Sequence, residues 1–218
     1  MIKTLIATGL LALAAAAQAQ ATLGSNLIVN GDAESGIAGW TGFDGYSMFQ
    51  SVDYGSNWVL PTQPGPVDRG ARMFTGLTAQ AAGHQTIDLG TLAGQPLHYA
   101  LTGWLGGWAA QGDNALLYVS FLDAAGNEIG HAALGPVMPA DRGNQTGLLF
   151  RSEAGALPAS TASVMFSLSM ERLGGGDNDG YADNLSFVIT SAVPEGNALA
   201  CALAGLALLA GVLARRRR

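Results

Sequence analysis

Lysine is almost missing from this chain. Lys3 is the only one in 218 residues, and arginine supplies the other nine of ten basic side chains. Four of those are the terminal Arg215 to Arg218, so residues 20–192 keep only Arg69, Arg72, Arg142, Arg151 and Arg172. The same stretch holds fifteen of the sixteen acids and is therefore near −10, against −6 for the whole chain. Such a surface repels phosphate backbones, which argues against a nucleic-acid partner, and it attracts divalent cations. Cysteine is equally scarce: Cys201 is the only one. No disulfide can staple residues 20–192, and no thiol nucleophile is present there. Cys201 lies in an apolar run and reads as a small helix residue. The sequence has neither a Gly-x-Ser-x-Gly elbow nor a His-Glu-x-x-His pair. His84, His98 and His131 are scattered without ligand spacing. With so many acids, some carboxylate pair suited to glycoside hydrolysis will always fall close, so that pattern decides nothing.

Long helical periodicity is also missing between residues 20 and 192. What is present there is glycine, of which the chain has 31, and the turn pairs Asn30-Gly31, Asp44-Gly45 and Asp179-Gly180. Between them run short segments of period-two alternation. Leu97, Tyr99, Leu101 and Leu105 share one face of a strand, with His98, Thr102 and Trp104 on the other. Ser163 to Met170 alternates as cleanly. Leu116 to Asp123 breaks at the turn Asp123-Ala-Ala-Gly126 and resumes at Asn127 to His131, and Leu185 to Thr190 closes the domain. The pattern predicts an all-β fold, an antiparallel sandwich or barrel over residues 20–192.

Both ends read differently. Lys3, the apolar stretch Leu5 to Ala17 and the small residues Ala17-Gln18-Ala19 are the parts of a secretory signal peptide, predicted over residues 1–19. Cleavage is placed after Ala19, with Ala21 as the alternative. At the other end, an apolar run from Ala198 to Ala214 predicts a transmembrane helix of roughly 25 Å. The arginine block Arg215, Arg216, Arg217 and Arg218 would hold its end on the cytoplasmic side. The motif Val193-Pro194-Glu195 precedes that run. This three-part tail, residues 193–218, resembles the PEP-CTERM sorting signal of Gram-negative bacteria, in which a Val-Pro-Glu-Pro motif stands before a single membrane helix and an arginine-rich end. Gly196 replaces the second proline. The resemblance implies export through the inner membrane, temporary anchoring, and processing by an exosortase-type membrane transpeptidase. It also implies a final place on the cell surface or in the extracellular matrix, beside exopolysaccharide.

A second resemblance concerns the body. Asn26-Leu-Ile-Val-Asn-Gly-Asp-Ala-Glu34, followed by Gly39-Trp40, is similar to the first strand of galactose-binding-like jelly rolls, a fold shared by many carbohydrate-binding modules. Asp179-Gly-Tyr-Ala-Asp-Asn-Leu-Ser-Phe187 is similar to their last strand. The resemblance implies a jelly-roll sandwich with a structural calcium ion between first and last strands, and the matching positions are Glu34 and Asp183. The residues give a coarser version of the same expectation. Asp177, Asp179 and Asp183 in a glycine-rich segment supply the oxygen ligands calcium prefers. The competing reading is that these aspartates cap backbone amides in tight turns.

The aromatic residues form the other candidate site. Trp104 lies on the face of its strand opposite the apolar one, Trp108 follows two glycines, and Tyr54 and Trp58 sit in an earlier polar loop. Tyr118 is on the side of its strand opposite Leu117, Val119 and Phe121. Sugar rings present flat C–H patches that stack on such side chains, and Arg72 and Asp68 offer partners for hydroxyls. For Trp104 the alternative is burial under a loop or the second sheet. Trp40 reads as core. These observations predict a non-catalytic, calcium-stabilised carbohydrate-binding domain on an exported surface protein. The alternatives are a purely structural matrix or adhesion protein and a small secreted glycan-acting enzyme.

Overall fold

A computed structural model describes residues 21–55 and 57–192. The predicted signal segment, the sorting motif Val193 to Glu195, the predicted membrane helix and the arginine block lie outside the described residues. Among the described residues no helix is long and apolar enough to cross a membrane.

Ten strands form two antiparallel five-stranded sheets. In chain order they are β1 (Thr41–Gly42), β2 (Gln50–Asp53), β3 (Arg72–Thr75), β4 (Gln80–Asp88), β5 (Leu97–Gly107), β6 (Asn114–Leu122), β7 (Glu128–Leu134), β8 (Gly147–Ala156), β9 (Ser163–Glu171) and β10 (Tyr181–Ser191). One sheet runs β1-β4-β9-β6-β7, and the other β2-β3-β10-β5-β8. Connections from β4 onward pass mostly from one sheet to the other, so the core is stitched by residues distant in sequence. This is the antiparallel sandwich that the alternation predicts.

Period-two alternation explains which side chains enter the core. Val164, Phe166, Leu168 and Met170 of β9 are all buried, and the intervening Ser163, Ser167 and Ser169 are not. Leu97, Tyr99, Leu101 and Leu105 of β5 do the same from the facing sheet. The aromatic centre is Phe187, which stacks on Tyr99 at 5.5 Å and meets Phe166 edge-on at 5.2 Å. Trp40 is core as expected, edge-on to Phe49 and Phe74.

Three segments differ from expectation. The stretch Asn26–Glu34 is mostly turns. Only Asn26 makes a bridge, to Val188, while the Leu27 N–H donates to the Phe187 carbonyl and the segment runs beside β10. Asn30 and Ala33 have φ of 50° and 60°, which breaks an extended path. Asp179-Gly180 is not a turn. A Cβ on Gly180 would lie 2.2 Å from the Asn114 carbonyl oxygen, so the glycine serves close backbone approach. Finally, β10 carries a bulge: Asp183 pairs with Trp104 and Ser186 with Thr102, so Asn184 and Leu185 oppose Gly103 alone. Asn184 takes φ 47° there.

That bulge changes which face the odd positions occupy. Leu185, Phe187 and Ile189 point into the core, whereas Tyr181 belongs to a second, smaller cluster with Val59, Met73 and Leu148. Asp183 reaches Tyr54, which packs against that same cluster. The second cluster lies on the outer face of the β2-β3-β10-β5-β8 sheet, under the loop that follows β2.

Candidate functional site

Four of the aromatic residues singled out from the sequence meet at this second cluster. Tyr54, Trp58, Trp104 and Trp108 are each partly buried and pack around Val59, Met73, Leu148 and Tyr181. Trp58 is edge-on to Tyr181 at 6.4 Å. It lines two open clefts, as does Asn57. One, of about 400 Å³, is lined by Val52, Asp53, Tyr54, Gly55, Asn57, Trp58 and Arg72. The other, of about 560 Å³, is lined by Gln50, Asn57, Trp58, Gly76, Leu77, Trp108, Asp177 and Asn178. Aromatic walls with amide and carboxylate side chains between them provide stacking surface and hydrogen-bonding groups in one place.

The polar residues are held by their neighbours. Arg72 donates from Nε to Ser51 Oγ and from Nη2 to the Ser51 carbonyl, and its Nη1 pairs with Asp53 at 2.9 Å. Asp68 accepts instead from Asn184 Nδ2, so Arg72 and Asp68 do not pair with each other. Arg69 gathers the carbonyls of Leu60, Gln63 and Pro66 and lies over the Tyr54 ring at 5.1 Å, which fixes the loop beneath Trp58.

Tyr118 is elsewhere. It stands on the outer face of the opposite sheet, stacked on His131 at 5.2 Å and donating to Glu128 Oε1. Strand alternation puts its side chain outside the core but cannot say which of two sheets carries it. Phe150 was not anticipated. It is 49% exposed and edge-on to Trp104 at 5.7 Å, brought there by the β5–β8 pairing. Gln50, Asn57 and Asn178 were also missed. Asn57 adjoins Trp58 and was within reach of sequence reasoning; Gln50 arrives through the β2–β3 pairing, and Asn178 is held by its side-chain bonds to the Thr78 and Met170 carbonyls.

The four carboxylates expected at a metal divide between two places. Among the described residues no three His, Cys, Asp or Glu side chains come together to hold a metal ion. Asp177 is exposed on the tryptophan cleft. Asp179 accepts from Tyr181 Oη, and burial raises its pKa. They are set apart from Asp183 because Gly180 packs against β6 while the chain enters β10. Glu34 is close enough to Asp183 for its charge to act on it. Asp183 is fully buried, accepts 2.5 Å from Tyr54 Oη and 2.7 Å from the Asn184 N–H, and has no cationic partner within ion-pair distance among the described residues. Burial pushes its pKa up to about 7, and the Glu34 and Asp32 charges push the same way. Glu34 Oε1 accepts the N–H groups of Ala71 and Arg72. Asp183 is thus a buried carboxylate under the charge influence of Glu34 and Asp32, with only neutral hydrogen-bond donors.

The sequence matches no protein-family model and no curated protein. Solved structures similar to it include the enzymatically active domain of bacteriophage CBA120 tailspike protein 4, at TM-score 0.50 and 16% identity over 76% of this chain. The chain spans 21% of that protein's length. A family 16 carbohydrate-binding module is similar at TM-score 0.48 and 25% identity, covering 75% of this chain and 99% of the module. The module TmCBM61, in complex with β-1,4-galactotriose, is similar at TM-score 0.45 and 17% identity, over 77% of this chain and 99% of the module. The likeness to the tailspike domain is one of fold.

Proposed function

We propose that this domain binds carbohydrate without transforming it, and that the sugar lies in the two clefts that Trp58 lines. The observation that carries this reading is the convergence of Trp58 and Trp108 on one cleft, beside Gln50, Asn57 and Asn178. Aromatic rings stack on the C–H faces of a sugar while amides donate to and accept from its hydroxyls. The carboxylates of the clefts are Asp53, already paired with Arg72, and Asp177. The test is retardation of the protein in native gels containing soluble polysaccharides, with loss in Trp58→Ala and Trp108→Ala. Hydrolysis of a labelled glycan would contradict the non-catalytic part.

Calcium belongs to the same reading. Glu34 and Asp183 would hold it, and it would supply the positive charge that the buried Asp183 lacks. Added calcium should raise the melting temperature and chelator should lower it, with no response in Asp183→Asn. Export, membrane anchoring and processing by an exosortase-type transpeptidase are the corresponding proposal for the two ends. Fractionation of cells expressing the full chain, with and without the four terminal arginines, tests it.

A further inference from the structure

Two buried charges stand behind the wider cleft, and neither lines it. Arg142 is 7% exposed and makes no ion pair among the described residues. Its Nη1 donates to the carbonyls of Gly107 and Ala109, both at 2.9 Å, and to that of Gln145; its Nη2 donates to the Gln111 carbonyl at 3.2 Å. Gly107 and Ala109 flank Trp108. The Ala109 N–H donates 3.0 Å to Thr146 Oγ1, and Ala109 is held at φ 42°. One guanidinium and one hydroxyl, both on the β7–β8 connection, thus clamp the backbone on either side of the tryptophan.

Asp113 is the counterpart. It is fully buried, and its Oδ1 accepts from the N–H groups of Leu173 and Gly174, both at 2.7 Å. Its Oδ2 accepts from the Asp179 N–H at 3.0 Å. These contacts bracket the segment that presents Asp177 and Asn178 to the cleft. A buried cation therefore collects carbonyls from the loop bearing Trp108, and a buried anion collects N–H groups from the loop bearing Asn178. Buried charges are costly unless many dipoles compensate them, and here the compensating dipoles belong to the two loops that line the cleft. A sandwich core made of apolar side chains needs no such pair.

We propose that Arg142 and Asp113 are positioning residues that preset the gap between Trp108 and the Asp177–Asn178 wall before ligand arrives. The proposal rests on the sugar-binding reading for its purpose but not for its geometry. Arginine suits the role because its planar fork can meet several carbonyls at once, which a lysine ammonium cannot match.

The test uses the full chain labelled with 5-fluorotryptophan, which gives one fluorine resonance for each of Trp40, Trp58, Trp104 and Trp108, assigned by single Trp→Phe changes. In Arg142→Met the Trp108 resonance should shift or broaden while that of Trp40, in the core, stays in place. Retardation by soluble polysaccharides of β-linked glucose, xylose, mannose or galactose should fall about as far as in Trp108→Ala. The double variant should fall no further. Arg142→Lys is the second variant should Arg142→Met fail to fold, with the same resonance as its readout. An unmoved Trp108 resonance in either folded variant overturns the positioning claim whether or not a glycan binds. A moved resonance with unchanged retardation overturns the link to binding. If the unaltered protein is retarded by none of the polysaccharides but the resonance moves, the sugar reading fails and the positioning stands.

Discussion

Asp183 shows how much one side chain can carry. Its native pKa is raised to about 7 by burial first, then by Glu34 and Asp32, against about 3.9 in an unfolded chain. The native state therefore binds the proton more tightly than the unfolded state does. The stability from this group is complete below about pH 4 and is lost as pH rises through 7. Metal-free protein in chelator should lose melting temperature between those values, and Asp183→Asn should remove that part of the slope; Asp179 shifts in the same direction and remains in both. Calcium should cancel the loss in the unaltered protein. An unchanged slope in Asp183→Asn would count against this account of Asp183. The tryptophans separate by role at this scale. Trp58→Ala and Trp108→Ala should each weaken binding by at least about tenfold, the equivalent of about 1.4 kcal/mol or more, enough to abolish retardation, with little loss of fold. Trp40→Ala should cost about 3–5 kcal/mol of stability, because the ring sits between Phe49 and Phe74. Titration against the binding polysaccharide and denaturant melts distinguish the two.

Elements of the fold set where those residues meet. A Cβ on Gly106 would lie 1.9 Å from the Gly147 carbonyl oxygen, and one on Gly126 would meet nothing within 4 Å. Gly106→Ala should therefore disrupt the β5–β8 pairing and cost several kcal/mol. Gly126→Ala, at φ 82°, should cost only about 1 kcal/mol of turn strain. Circular dichroism melts of the two variants give the comparison directly. The bulge at Asn184 is the other decisive element. Without it, odd positions of β10 would keep one face from Tyr181 to Ile189, and either Phe187 would leave the core or Asp183 would enter it. Asn184→Gly should be tolerated and Asn184→Val should not, since only the first accepts φ 47° easily. This explains what was readable from the sequence. β5, β9 and the second half of β10 show clean alternation because one face is core and the other is not, whereas β6 carries Leu116 and Leu122 on its outer face and β7 exposes Ile129. β3 is short and buries Met73 under the loop and Phe74 in the core, and β2 is four residues with none fully buried, so no alternation marks either strand. From Arg151 onward β8 alternates too, but between exposed and half-buried small or charged residues, which period-two hydrophobicity does not register. The meeting of Trp58 with Trp108 depends on those unmarked strands. The sequence offers Tyr54, Trp58, Trp104 and Trp108 as one group without the contacts that join them, and it wrongly adds Tyr118, which lies on the other sheet.

For the whole molecule, charge and surface act together. The described residues carry fifteen acids against five arginines. Arg72 and Arg151 pair with Asp53 and Asp141, and Arg69, Arg142 and Arg172 are bound to backbone carbonyls. Free positive charge at the clefts is therefore scarce, and Asp53 and Asp177 line them. Neutral polysaccharides should bind better than uronate-rich ones of the same backbone, and the difference should shrink in high salt as screening increases. The measurement that bears most directly on the central claim is affinity electrophoresis of the unaltered protein, Trp58→Ala and Trp108→Ala on gels containing neutral polysaccharides, with folding confirmed by circular dichroism. The account predicts retardation of the unaltered protein by at least one polysaccharide and its loss in both variants. Equal mobility of all three folded proteins in every gel would contradict it.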